Sequence, residues 1–169
     1  MSLTLVLGGA RSGKTSYALT EAGKRPAERR VMVATAEALD AEMAERIARH
    51  RAERGGAWAT VEAPRELAAA VRELRSGEVA VIDCLTLWLT NLMLDEADLG
   101  AAVAELGLAL RASPAELFVI SNEVGQGIVP DNALARRFRD EAGWMHQAVA
   151  AAADQVVMVV AGLPLVLKG

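Results

Sequence analysis

The sequence predicts an α/β protein of three layers: a mostly parallel sheet with helices on both faces and an antiparallel strand at its C-terminal edge. Short apolar runs alternate with helix-compatible stretches along the whole chain, the pattern of strands buried on both faces. Gly8-Gly9-Ala10-Arg11-Ser12-Gly13-Lys14-Thr15 reads G-x-x-x-x-G-K-[ST] between such a run and such a stretch. Two apolar segments close together at the C-terminal end, 155–160 and 165–167, suit a hairpin.

Taken in order, Leu3 to Leu7 is the first strand, the glycine loop follows, and a helix runs from Ser16 to about Lys24. Arg30 to Thr35 is a second strand and about Asp40 to Glu53 a helix. Gly55-Gly56 breaks the pattern, Trp58 to Val61 is irregular or extended, and Pro64 suits the first position of a helix to about Leu74. Val79 to Asp83 is a buried strand, followed by helices over 85–94 and 99–110. Leu117 to Ser121 is the next strand, with a loop to Pro130 and a helix from Asn132 to Ala153. Ala161-Gly162-Leu163 then turns the chain into the closing strand.

At 169 residues and 53% hydrophobic, the chain fills one core, so residues 1–169 are read as a single phosphate-loop nucleotide-binding catalytic domain. Its net charge of −4 argues against a nucleic-acid surface, which needs clustered cations. Arg46, Arg49, Arg51 and Arg54 form a strip, but Glu42, Glu45 and Glu53 interleave it as on a solvated helix face. A single cysteine, Cys84, allows no intrachain disulfide and suits a reducing compartment. No leader opens the chain and no apolar tract is long enough for a membrane span, so a cytoplasmic protein is expected.

The chemistry concentrates where the strands end. In the glycine loop the backbone curls until its N–H groups face one hollow, and a helix N-terminus adds partial positive charge. A nucleoside triphosphate fits there, with Lys14 on the β/γ oxygens and Thr15 on Mg²⁺. Asp83 ends an apolar strand, the place of the acid that helps hold Mg²⁺; the alternative is a cap for the helix beginning near Leu85. Ligands of such sheets bind beyond the carboxyl ends of the strands, which gathers the glycine loop, Thr35, Asp83-Cys84 and Asn122-Glu123 at one edge.

His50 continues a stripe with Leu39, Met43 and Ile47. Periodicity alone favours a packed imidazole, while the chemistry allows a nucleophile toward a nucleotide α-phosphate, and the residues by themselves leave both open. His146 lies on the flank of a helix face made by Leu134, Phe138, Met145 and Val149, so a partly exposed surface residue is expected. Cys84 is expected to be a small buried residue, and Asn122 to Pro130 a shaped, semi-rigid loop over the site.

Several stretches together resemble the bifunctional adenosylcobinamide kinase / adenosylcobinamide-phosphate guanylyltransferase family of cobalamin biosynthesis. They are the glycine loop, Ala34-Thr35-Ala36, the run from Leu39 through His50-Arg51, and Trp58-x-Thr60-x-Glu62-x-Pro64. Asp83-Cys84-Leu85-Thr86 with Asn91-Leu92, Ser121 to Pro130, and Arg136-x-Phe138-Arg139-Asp140-x-x-Gly143 complete the likeness. The resemblance implies a RecA-like P-loop fold and a homotrimer. It also implies phosphorylation of adenosylcobinamide with ATP or GTP, then GMP transfer from GTP to the phosphate. The guanylylated histidine of the family falls on His50, and its nucleotide contacts fall on Gly8 to Thr15, on Val33, Ala34 and Thr35, on Arg51, Ala52, Glu53 and Arg54, on Glu62, and on Asp83 and Cys84. Some relatives carry paired histidines where this chain has Arg49-His50, and often Asn where His146 stands.

Two other readings stay in view. A simple P-loop kinase of a small molecule needs the loop but no covalent nucleotide. A nucleotide-switched regulatory module is disfavoured by the lack of an Asn-Lys-x-Asp guanine-reading element.

Overall fold

The computed structural model describes residues 2–37 and 57–169. In chain order these form β1 (Leu3–Gly8), α1 (Lys14–Gly23), β2 (Arg29–Ala34), β3 (Ala59–Glu62), α2 (Leu67–Arg72) and β4 (Glu78–Asp83). They continue with α3 (Leu85–Leu94), α4 (Leu99–Ala112), β5 (Glu116–Asn122), α5 (Ala133–Ala152), β6 (Gln155–Val160) and β7 (Leu163–Lys168). The helix expected over 40–53, with His50, lies outside the described residues.

All seven strands join one sheet in the order β3-β2-β4-β5-β1-β6-β7. Every neighbouring pair is parallel except β6 with β7, which are antiparallel, as the closing hairpin requires. The strand carrying the glycine loop and the strand carrying Asp83 are separated by β5.

Alternation along each strand feeds two apolar layers. Leu3, Leu5, Leu7, Val31, Val33, Ala80, Ile82, Leu117 and Val119 face the layer shared with α2, α3, α4 and α5. Val6, Met32, Val81, Phe118, Ile120, Val157 and Val159 face the opposite side, where Ala18 and Ala22 of α1 pack. Helix α3 is apolar nearly all round, and Leu85, Leu89 and Trp88 are fully or almost fully buried.

Of the two forms expected around 58–61, residues 59–62 take the extended one, as β3, a four-residue parallel edge strand whose side chains alternate between half-buried and exposed. Two expectations are corrected. Pro64 does not open a helix: α2 runs from Leu67 to Arg72, and ahead of it Asn91 Nδ2 takes the Pro64 carbonyl at 2.9 Å and the Trp88 indole takes that of Arg65 at 2.8 Å. Leu134 is 63% exposed, so the buried face of α5 begins with half-buried Phe138 and continues through Ala142, Met145 and Val149.

Candidate active site

The loop from Gly9 to Gly13 turns on one backbone bond, Ser12 N–H to Gly9 O at 3.3 Å, and its sharpest bends fall at Arg11 (φ 55°) and Gly13 (φ 93°). Two close approaches require glycine. A Cβ on Gly8 would stand 2.4 Å from Ser12 Oγ and 2.8 Å from the Val159 carbonyl oxygen. A Cβ on Gly13 would stand 3.2 Å from Gly162 Cα. Gly162, in the turn between β6 and β7, also donates its N–H to Ser12 O at 2.8 Å, so the closing hairpin braces the loop from behind.

Helix α1 begins at Lys14 with Gly13 as its N-cap; no side chain caps it and no acid stands in its first turn. Its leading N–H groups therefore retain their capacity for an anion, reinforced by the helix dipole. Ser12 Oγ is buried with no protein partner, an orphan hydroxyl that a phosphate oxygen would satisfy. Lys14 is only 8% exposed and its ammonium donates to Gly9 O at 3.0 Å, folded back along the cradle it is expected to serve.

Asp83 is not a helix cap. Cys84 occupies that position for α3, and Asp83 Oδ2 instead accepts from Thr15 Oγ1 at 3.3 Å. The two side chains place hard oxygen donors side by side at the mouth of the loop, a set suited to Mg²⁺ with its remaining positions filled by water and phosphate. Among the described residues no cluster of three or more His, Cys, Asp or Glu side chains forms a protein-only metal cage. Mg²⁺ accepts such sparse protein ligation because it keeps most of its waters.

Behind this mouth lies a buried polar chain that the sequence reading did not assemble. Thr35 Oγ1 donates to Cys84 O at 2.7 Å and accepts from Cys84 N–H at 2.8 Å, tying the end of β2 to the end of β4. Asn91 Nδ2 donates to Thr35 O at 2.9 Å, and Asn122 Nδ2 donates to Thr86 Oγ1 at 2.7 Å, bringing in α3 and β5. Cys84 Sγ is 3.2 Å from Thr86 Oγ1, and burial, with Asp83 alongside, pushes the thiol above its ordinary range. Cys84 is the small buried residue that was expected. Thr86 and Asn91 had a signal: they are polar residues inside the otherwise apolar run of α3.

His146 is a correction. It is 7% exposed, and its Nε2 is 2.7 Å from the fully buried Ser121 Oγ. Burial lowers its pKa below the ordinary imidazole value, while Glu123, with Oε2 3.9 Å from Nδ1, pulls the other way. The ring reaches under the end of β5, and Glu123 N–H donates to Gly8 O at 3.0 Å, so this cluster sits directly beside the glycine loop.

The carboxyl edge thus brings together Gly8 to Thr15, Val33 to Thr35, Asp83-Cys84 and Asn122-Glu123, with Ala34 in register with both Glu62 and Asp83. Glu62 shares the edge on exposed β3, four strands from β1 and hence about 19 Å away, beyond reach of the phosphate cradle. His50 and Arg51 to Arg54 lie outside the described residues. The chain enters that stretch from Thr35–Glu37, next to Asp83, where the Arg65 guanidinium holds both Glu37 and Asp95.

Comparison with known proteins agrees with this geometry. The bifunctional adenosylcobalamin biosynthesis protein CobP of Pseudomonas aeruginosa is 47% identical over 98% of this chain and 96% of its own length. The corresponding CobU of Escherichia coli K12 is 38% identical over 98% and 99%. Among solved structures, an ATPase of a bacterial type III secretion system superposes with a TM-score of 0.55 at 13% identity, covering 93% of this chain and 50% of that one. The flagellar accessory protein FlaH of Methanocaldococcus jannaschii superposes with a TM-score of 0.51 at 14% identity, covering 99% and 78%. These distant likenesses show a P-loop NTPase fold. The profile of the family described as cobinamide kinase / cobinamide phosphate guanyltransferase matches residues 4–167, and the chain belongs to that family of bifunctional kinases and guanylyltransferases.

Proposed function

We propose that residues 1–169 form one catalytic domain that phosphorylates adenosylcobinamide and then converts the product to adenosylcobinamide-GDP. The observation that carries this reading is the near full-length family match on a chain whose Thr15 and Asp83 meet at 3.3 Å beside an uncapped helix N-terminus.

In the kinase step the loop N–H groups, Ser12 and Lys14 bind the triphosphate and spread its charge. The acceptor hydroxyl oxygen attacks the γ-phosphorus, the bond from that phosphorus to the β,γ-bridging oxygen breaks, the nucleoside diphosphate leaves, and the hydroxyl proton passes to solvent. Thr15 and Asp83 would hold Mg²⁺, which when bound offsets phosphate charge and fixes the oxygens in line. The donor is ATP or GTP. In the second step a neutral His50 nitrogen attacks the α-phosphorus of GTP and pyrophosphate leaves. The phosphate of adenosylcobinamide phosphate then attacks the same phosphorus, the P–N bond breaks, and the imidazole is regenerated. Arg51 to Arg54 serve the nucleoside and α-phosphate end of that site and Glu62 its nucleoside, with Val33 to Thr35 and Cys84 lining its floor. The enzyme works in the cytoplasm as a homotrimer. Among the described residues no helix is long and apolar enough to cross a membrane.

Exposure to GTP labelled in the α-phosphate tests the transferase half. The expected adduct is acid-labile and base-stable, maps to the peptide containing His50, and is lost in His50→Ala. Equal labelling of that variant would remove His50 from the mechanism. Phosphorylation of adenosylcobinamide without any label in the wild type would leave a kinase alone.

A further inference from the structure

The loop between β5 and α5 sorts its apolar residues in two directions. Val124, near its start, packs on the core, and so does Phe138 in the second turn of α5. Between these anchors Ile128 is 96% exposed and Val129 61% exposed, and Leu134 follows on the first turn of α5 at 63%. Water gains nothing from such a projection, and monomeric surfaces rarely display adjacent large apolar side chains without a use.

The projection is built rather than loose. Arg136 Nη1 donates to the carbonyls of Pro130 and Asp131 at 2.9 and 2.8 Å, and Asn132 Oδ1 caps α5 through Ala135 N–H at 2.7 Å. At the other end Glu123 Oε1 accepts from Gly125 N–H at 2.5 Å, and the Glu123 N–H is bonded to Gly8 O. The root of the loop is therefore one hydrogen bond from the first residue of the phosphate cradle.

We infer that Ile128 and Val129, in the same loop that leads to exposed Leu134 on the first turn of α5, are the platform on which the acceptor substrate rests an apolar face of its macrocycle. This inference rests on the proposed cobinamide reaction. A kinase that delivers phosphate to a hydroxyl on a flexible arm must anchor the bulk of the acceptor beside the cradle, and binding energy from that non-reacting bulk is what holds the arm in line. Continuity with the cradle selects the acceptor over a second copy of the chain. The apolar surface of β7 is a separate patch, three strands away from β5 across β1 and β6, and contact of the loop with a second copy is the competing outcome that the test reads.

The test is the double variant Ile128→Ser/Val129→Ser, beside the conservative Ile128→Leu/Val129→Ile. Three quantities are measured: KM for adenosylcobinamide, Kd for GTP, and mass in solution. The serine variant is expected to raise the KM for adenosylcobinamide at least about tenfold, with GTP affinity and mass unchanged, and the conservative variant to restore it. An unchanged KM would overturn the platform, and so would a fall in mass, which would mark the loop as a contact between copies. If the wild type binds GTP but leaves adenosylcobinamide unmodified, the functional reading fails and takes this inference with it. If the wild type turns over and the serine variant matches it, the platform alone fails.

Discussion

Asp83 and His146 show how far single residues betray their roles. An acid ending an apolar strand is ambiguous between cap and metal partner; the structure removes the cap, because Cys84 takes that position and Thr15 turns to Asp83. Asp83→Asn keeps the shape but removes the charge proposed to hold Mg²⁺. Phosphoryl and nucleotidyl transfer are expected to fall together by about 10²-fold in kcat, as for other lost charge-stabilising groups; assays of each half-reaction check this. His146 was illegible because its partner, Ser121, lies on a different element and helical periodicity sees only one. Ser121→Ala would leave the His146 ring nitrogen buried without a partner and is expected to cost about 1–3 kcal/mol in a denaturant titration. Burial holds the folded pKa of His146 below the unfolded value of 6.5, so the unfolded chain binds the extra proton first as the pH drops. Stability from this group is therefore complete above pH 6.5 and is lost as the pH falls from there through the lower folded value. Unfolding curves across that range should slope less in His146→Gln than in the wild type.

Among elements, legibility followed burial. Strands β1, β4 and β5 were readable as apolar runs because both of their faces are covered. Strand β3 was legible only as irregular or extended, since Ala59–Glu62 alternates half-buried with exposed side chains and carries no apolar run. The glycine loop was legible as a motif, whereas its brace was not: nothing in Ala161-Gly162 advertises a contact with residues 12 and 13, which only the closing of β6 onto β1 brings near. The loop and the hairpin turn should accordingly behave as one unit. Gly13→Ala meets two obstacles, a left-handed backbone costing about 1–2 kcal/mol for an L-residue and a Cβ 3.2 Å from Gly162 Cα. The Kd for GTP, measured by titration, is expected to rise at least about tenfold, because the strain falls on the N–H groups that line the cradle.

For the whole molecule, the unfinished feature is the far edge of the sheet. All six residues of β7 are exposed, and Leu163, Leu165, Val166 and Leu167 are between 52% and 72% open, with Val160 of β6 at 56%. Sheet edges are normally blunted by charge, yet the lysine here, Lys168, turns its ammonium onto the carbonyls of Ala150 and Ala153 instead of guarding the edge. Pro164 does interrupt the edge by removing one backbone donor, which disfavours extension of the ladder by another strand and leaves the apolar side chains as the means of contact. From the sequence this region read as a closing hairpin, but nothing there told which neighbour its side chains meet, because an edge strand and an interface strand have the same composition. A homotrimer, as proposed, would bury this surface. Light scattering on the wild type should give three times the chain mass of 17.8 kDa, and Leu165→Lys/Leu167→Lys should give the single-chain mass with the fold retained by circular dichroism. The hairpin turn also braces the glycine loop through Gly162, so loss of the assembly should weaken GTP binding as well, and a charged β7 that leaves both mass and GTP affinity unchanged would place the interface elsewhere.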